Sequence, residues 1–210
     1  MKKKTTVRSI SAATILGLSL SMGSTMAVAQ DSDDAATINA DKPVTLTIDK
    51  RLNPATVGDA GNGTADPNAT GNPLRGATFT GVLLNVDKVK AEDLPKVTAA
   101  NYEELGAVKT STTVTGTTGD NGQLQLADSD GMKQGMWLFT ETIDGPVTDT
   151  KTGKEYKASD VAPSTPFIVS LPYTNSEGNG WNYDVVVQPK NTTAGVTKEV
   201  KDADKNVGDD

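Results

Sequence analysis

The side chains with the most chemical potential in this sequence are a few polar groups set among alternating apolar ones. The segment WNYDVVVQPKN, Trp181–Asn191, alternates like a strand and ends on a lysine that follows a proline. If it is extended, Trp181, Tyr183, Val185, Val187, Pro189 and Asn191 point one way, and Asn182, Asp184, Val186, Gln188 and Lys190 the other. The first set is the core face, so Asn191 points inward and the amine of Lys190 projects outward, within reach of another protein. An amine attacks only when neutral; at a pKa near ~10.4, less than ~0.1% of a lysine is neutral at pH 7. A reactive Lys190 therefore needs a base, a lowered pKa or precise positioning. Asp184 shares its face but sits too far along the strand to be an obvious helper. Taken alone, an outward lysine is a solvated surface charge, the commonest state of that residue. Lys50 shares a face with Val44, Leu46 and Ile48 in PVTLTIDK, and Glu141 shares one with Trp137 and Phe139 in MWLFTETI. With Asn191 this puts three polar residues on three apolar faces. Unpaired buried charge is expensive, but each of the three also lies near a strand end, from which it can reach water.

The elements that must position these groups follow from patterning. Residues 1–29 have the form of an export signal: Lys2, Lys3, Lys4 and Arg8, an apolar stretch from Ile10 to about Met26, and small residues at Ala27 and Ala29. The apolar part falls short of the ~20 residues a membrane span needs. Residues 30–42 are acidic and small, a flexible leader. Strands are expected over Pro43–Lys50, Ala77–Val86, Met136–Ile143, Pro166–Leu171 and Trp181–Lys190. Residues 56–73 are rich in Gly, Asn, Asp and Pro and form a long loop, either a surface insertion or a lid near Lys190. Asp59, Asn62, Asp66 and Asn68 within it miss calcium-loop spacing, so no metal is assigned. Ala91–Leu105 suggests one or two short helices around Pro95, and Asp120–Gly122 a hairpin turn. Residues 195–210 begin a new alternation at Val196, with Lys198 and Lys201, and read as a linker and the start of a truncated next domain. Short strands separated by turn signals argue for an all-β, immunoglobulin-like sandwich over residues 43–194.

Composition narrows the functions. The chain has no cysteine and no histidine, which excludes thiol catalysis, histidine triads and the usual zinc sites, and leaves an exported domain without a disulfide. The net charge of −7 argues against nucleic acid as a partner. No cofactor is implied, and an enzyme is the least supported class.

The spacing W-x3-V-x-V-x-P-K formed by Trp181, Val185, Val187, Pro189 and Lys190 resembles the pilin motif of shaft subunits of sortase-assembled Gram-positive pili. The resemblance extends over most of residues 43–195 and is to the N-terminal domain of corynebacterial Spa-type major pilins, of Cna-B-type immunoglobulin-like fold. Gln188 departs from it, since the family often carries tyrosine there. The resemblance implies that Lys190 is a substrate nucleophile, joined by a class C pilin sortase to the threonine of an LPxTG-type signal on the next pilin. Its partners would then be that sortase, other copies of the same pilin, tip or base pilins and a host-cell surface. The product would be a secreted fibre anchored to the cell wall. The chain carries no LPxTG sequence, and is expected to accept a partner rather than donate to one. The resemblance also implies an internal amide between Lys50 and Asn191, assisted by Glu141, whose setting GMWLFTE is similar to the family's E-box, G-x-Y-x-L-x-E. The alternative is an exported adhesin domain that binds host or matrix ligands through its loops, because sandwich domains serve both roles.

Overall fold

The computed structural model describes residues 37–53, 62–174 and 180–193. The signal segment, residues 30–36 of the leader, the first part of the long loop and the tail with Lys198 and Lys201 lie outside the described residues. Fifteen strands are found among them. In chain order they are β1 (Thr45–Asp49), β2 (Arg51–Leu52), β3 (Asn72–Arg75), β4 (Thr78–Asn85) and β5 (Val108–Thr117). Next come β6 (Gln123–Leu126), β7 (Gly135–Thr142), β8 (Val147–Asp149), β9 (Lys154–Tyr156) and β10 (Val161–Ala162). The last are β11 (Phe167–Leu171), β12 (Tyr173–Thr174), β13 (Trp181–Asn182), β14 (Asp184–Val187) and β15 (Lys190–Thr193).

A four-stranded sheet, β11-β7-β4-β5, faces a sheet ordered β14-β1-β6. Between them lies the main core, in which Leu46, Ile48, Phe79, Trp137, Phe139 and Val185 are buried. This is an immunoglobulin-like sandwich, built by the alternation of β1, β4, β7 and β14. The second sheet extends at one end through β2 and β15 into the order β10-β15-β2-β3-β8-β9, closed by a smaller cluster of Leu52, Leu74, Val147 and Val161.

Several expectations are corrected. The turn at Asp120–Gly122 forms, but its flanking strands do not pair: β5 stays with β4, and β6 crosses to β1. Gly122, at φ 73°, lets the chain cross there, because a Cβ would meet Pro73 Cβ at 2.7 Å. Residues 91–105 do hold one short helix around Pro95, the 3-10 helix Leu94–Lys96. With their neighbours they cover the outer face of the four-stranded sheet, where Val89, Val97, Tyr102 and Ala107 bury Met136 and Leu138. The end of the leader is tied down, since Asn39 N–H donates to the Tyr183 hydroxyl at 2.7 Å and Gln134 donates to the Asn39 and Lys42 carbonyls. The long loop ends in strand β3 rather than running irregularly to Pro73.

Gly81 shows how closely the sandwich is filled. It stands opposite Phe139 in the β4–β7 ladder, and a Cβ there would meet Phe139 Cε1 and Cζ at 2.6 Å and Val114 Cγ2 at 3.0 Å. Gly81→Ala is expected to cost about 1–3 kcal/mol through overpacking, read as a lower urea midpoint. An unchanged midpoint would contradict this account of the core.

Candidate functional site

Strand β1 runs parallel to β14, and β2 runs parallel to β15. The sequence-based single strand over Trp181–Lys190 is corrected to three pieces. Trp181 and Asn182 pair with β12, β14 pairs with β1, and the chain breaks at Gln188 and Pro189 before Lys190 opens β15. The register nevertheless holds at one offset, with Ile48 opposite Val187 and Arg51 opposite Lys190. The parity read from the sequence therefore survives the break. Tyr183, Val185 and Asn191 are buried, and Lys190 faces away from the core.

The break matters for Lys50, which lies between β1 and β2. Its N–H donates to the Gly122 carbonyl at 2.8 Å and its carbonyl accepts from Leu74 N–H at 3.1 Å. Lys50 is where the chain changes partner from β6 to β3. Its side chain continues the Leu46 and Ile48 face into the core and is 0% exposed. There the structure brings Lys50, Glu141 and Asn191 together. Nζ of Lys50 donates to Glu141 Oε2 at 2.9 Å and to Asn191 Oδ1 at 2.5 Å, and Asn191 Nδ2 donates to Glu141 Oε1 at 2.7 Å. Phe79 covers the amine, its ring centroid 5.7 Å from Nζ.

One member of this cluster was missed in the sequence. Ser164 donates through its N–H (2.7 Å) and Oγ (2.6 Å) to Glu141 Oε2, the oxygen that also takes Lys50. Its surroundings, APSTP, have no strand period that would have marked it.

Burial lowers the Lys50 amine from its ordinary 10.5 to about 8, against the opposing charge and hydrogen bond of Glu141. At pH 7 about a tenth of it is neutral, against less than ~0.1% for an exposed lysine. The arrangement can perform an aminolysis. It has a nucleophile whose loss of a proton is eased by burial, an amide carbonyl within contact, and a carboxylate touching both nitrogens.

Lys190 is half-buried at the rim of a groove of about 500 Å³ between β14–β15 and the segment 162–169. Phe167, Val169, Tyr173, Val187 and Pro189 give the groove an apolar lining. The spacing that singled out Lys190 is thereby explained. Val185 anchors β14 in the core, Trp181 and Val187 pack against it, and Pro189 sits at the break that starts a new strand with Lys190. The long loop reaches the same place. The Gly63 carbonyl accepts from Val186 N–H and Asn182 Nδ2, and Asp66 N–H donates to Gln188 Oε1. Asp184 is occupied elsewhere, accepting from Thr45 Oγ1 at 2.7 Å.

The sandwich is matched by known proteins. The pattern of the Gram-positive pilin subunit D1, N-terminal domain, fits residues 41–192. The chain belongs to the Gram-positive pilin subunits. A fimbrial subunit type 1 from Actinomyces viscosus is 32% identical over 197 residues, covering 92% of this chain and 34% of the relative. The full-length major pilin SpaD of Corynebacterium diphtheriae superposes with a TM-score of 0.56 at 29% identity, over 75% of this chain and 34% of SpaD. The fimbrial protein FimP of Actinomyces oris gives 0.55 and 31%, over 75% of this chain and 31% of FimP. The chain thus spans about a third of the length of these relatives.

The Lys50 shift has a testable sign. Because the folded value lies below the unfolded one, the unfolded chain holds the extra proton between pH 8 and 10.5. Stability therefore rises with pH across that window and carries the full penalty below it. In an Asn191→Ala domain, where no amide can form, unfolding free energy should rise by about 1–3 kcal/mol between pH 7.5 and 9.5. A flat or falling profile in urea titrations would contradict a desolvated lysine.

Proposed function

We propose that this pilin domain is a polymerisable shaft unit of a covalent surface pilus, and that Lys190 is the amine through which it is joined. A class C sortase would cleave an LPxTG-type signal on another subunit and hold its threonine as a thioacyl ester. Nζ of Lys190 attacks that carbonyl, the thiolate leaves, and an isopeptide bond links the two subunits. The observation that carries this reading is the placement of Lys190. It faces outward at the rim of an apolar groove, while its neighbour Asn191 is directed into the core. An extended peptide with leucine and proline suits such a groove, and loop residues 62–70 along β14 stand beside its entrance. Secretion to the cell surface and contact with other pilins follow from the same reading.

The buried cluster supports a second amide, within the domain. Neutral Lys50 Nζ attacks Asn191 Cγ, and Glu141 takes the proton from Nζ through Oε2 and delivers it to Nδ2 through Oε1. The C–N bond to Nδ2 then breaks and ammonia departs. The product is a neutral amide linking residues 141 positions apart, a constraint worth about 4–5 kcal/mol by chain entropy. It would take the place of the missing disulfides.

Both amides are read by mass. Purified domain incubated with pilin sortase and an LPxTG-type peptide should gain the peptide on Lys190, and Lys190→Arg should gain nothing. An adduct surviving that substitution, or none on the wild type, would refute the assignment. Before ligation, the wild-type mass should be about 17 Da below the sequence mass, for the ammonia lost. Glu141→Ala should restore the full mass, and a wild type at full mass would exclude the internal bond.

A further inference from the structure

Among the described residues, one buried side-chain oxygen or nitrogen lacks a hydrogen-bond partner, and it is Oδ1 of Asp49. Asp49 is only 3% exposed. Its other oxygen, Oδ2, accepts three bonds: Arg51 Nε at 3.1 Å, Arg51 Nη2 at 2.8 Å and Gln188 Nε2 at 2.8 Å. A buried carboxylate oxygen without a donor is energetically costly. Such a defect points to a donor that arrives in another state of the molecule.

The ladder sets Lys190 near Asp49 in register. Asp49 and Gln188 are offset by 139 positions, the same offset that places Arg51 opposite Lys190. Asp49, Arg51, Gln188 and Lys190 thus form one rectangle on the outward face of two neighbouring strands, with Asp49 and Lys190 on its diagonal. Diagonal neighbours in a sheet lie roughly 7–8 Å apart at Cα, within the reach of a lysine. Among the described residues, neighbouring charges have partners of their own. The Arg51 guanidinium is paired to Oδ2, and the Asp66 carboxylate of the overlying loop accepts from Asn68 N–H. Asp184 is held by Thr45. Gln188 is clamped between Asp49 and the Asp66 N–H, so it holds the carboxylate in place.

We propose that Asp49 is the proton acceptor for Lys190: its Oδ1 receives the Lys190 ammonium, aims it at the groove and takes its proton during acyl transfer. This rests on the reading of Lys190 as the joined amine. The step balances: ammonium, carboxylate and thioacyl enzyme give isopeptide, carboxylic acid and cysteine thiol. One proton of the ammonium stays on the amide nitrogen, one goes to Asp49 and one to the departing sulfur.

The test uses Asp49→Asn, which keeps an oxygen for Arg51 and Gln188 but cannot take a proton. With sortase and an LPxTG-type peptide in excess, its kcat as acceptor should fall about 100-fold with KM within about twofold. Asp49→Glu should recover part of the rate. Wild-type rates for Asp49→Asn would overturn the role of Asp49 and leave Lys190 as the acceptor. A wild-type domain that forms no adduct would overturn the Lys190 reading and this role with it.

Discussion

A parallel ladder with one constant offset, between residues 45–52 and 184–191, decides which chemistry each side of this domain can perform. Side chains alternate along both strands, so a shift of one residue in either would exchange inside for outside. At the observed register, Lys50 and Asn191 are enclosed with Glu141, while Asp49, Arg51, Gln188 and Lys190 share the opposite face. Two lysines of the same chemical type, one on each strand, are thereby given different environments.

The inward face poses an energetic problem that amide formation would resolve. A lysine with no exposure beside Phe79 is penalised as a cation, and the approach of Glu141 repays only part of that cost. Lowering the amine toward about 8 makes it a better nucleophile, and condensation would remove the buried charge altogether. On the outward face the problem is the reverse. Lys190 is only half-buried, so its activation in the proposed joining would depend on a neighbouring group rather than on burial. The two faces also share structure. The segment 162–165 lines the groove that Lys190 borders, and its Ser164 holds the carboxylate of the inner cluster.

Much of this was legible in the sequence where period-two alternation is strong. Lys50 on the Leu46–Ile48 face, Glu141 on the Trp137–Phe139 face and the opposite facing of Lys190 and Asn191 all follow from counting. The breaks were not legible. Nothing in TIDKRL marks Lys50 as the point where pairing changes, because the change is made by Gly122 and Leu74 from distant segments. The sheet crossing after β5 was hidden for a similar reason, since a turn signal specifies a reversal but not which sheet receives the next strand. Ser164 and Asp49 were missed because their roles depend on contacts more than 20 residues away in sequence. Alternation carries no information of that kind. Nor did it reveal the second buried face of β7, which exists only because residues 86–107 fold over it.

The central claim is that one register gives Lys190 to the fibre and Asn191 to the fold. It is tested most directly by tandem mass mapping of proteolytic peptides from a sortase-ligated product of the wild-type domain. The account predicts two branched peptides in the same molecule, one carrying the incoming threonine on Lys190 and one joining Lys50 to Asn191. Attachment of the threonine to Lys50 or any other lysine, or the Lys50 and Asn191 peptides recovered unlinked, would contradict it.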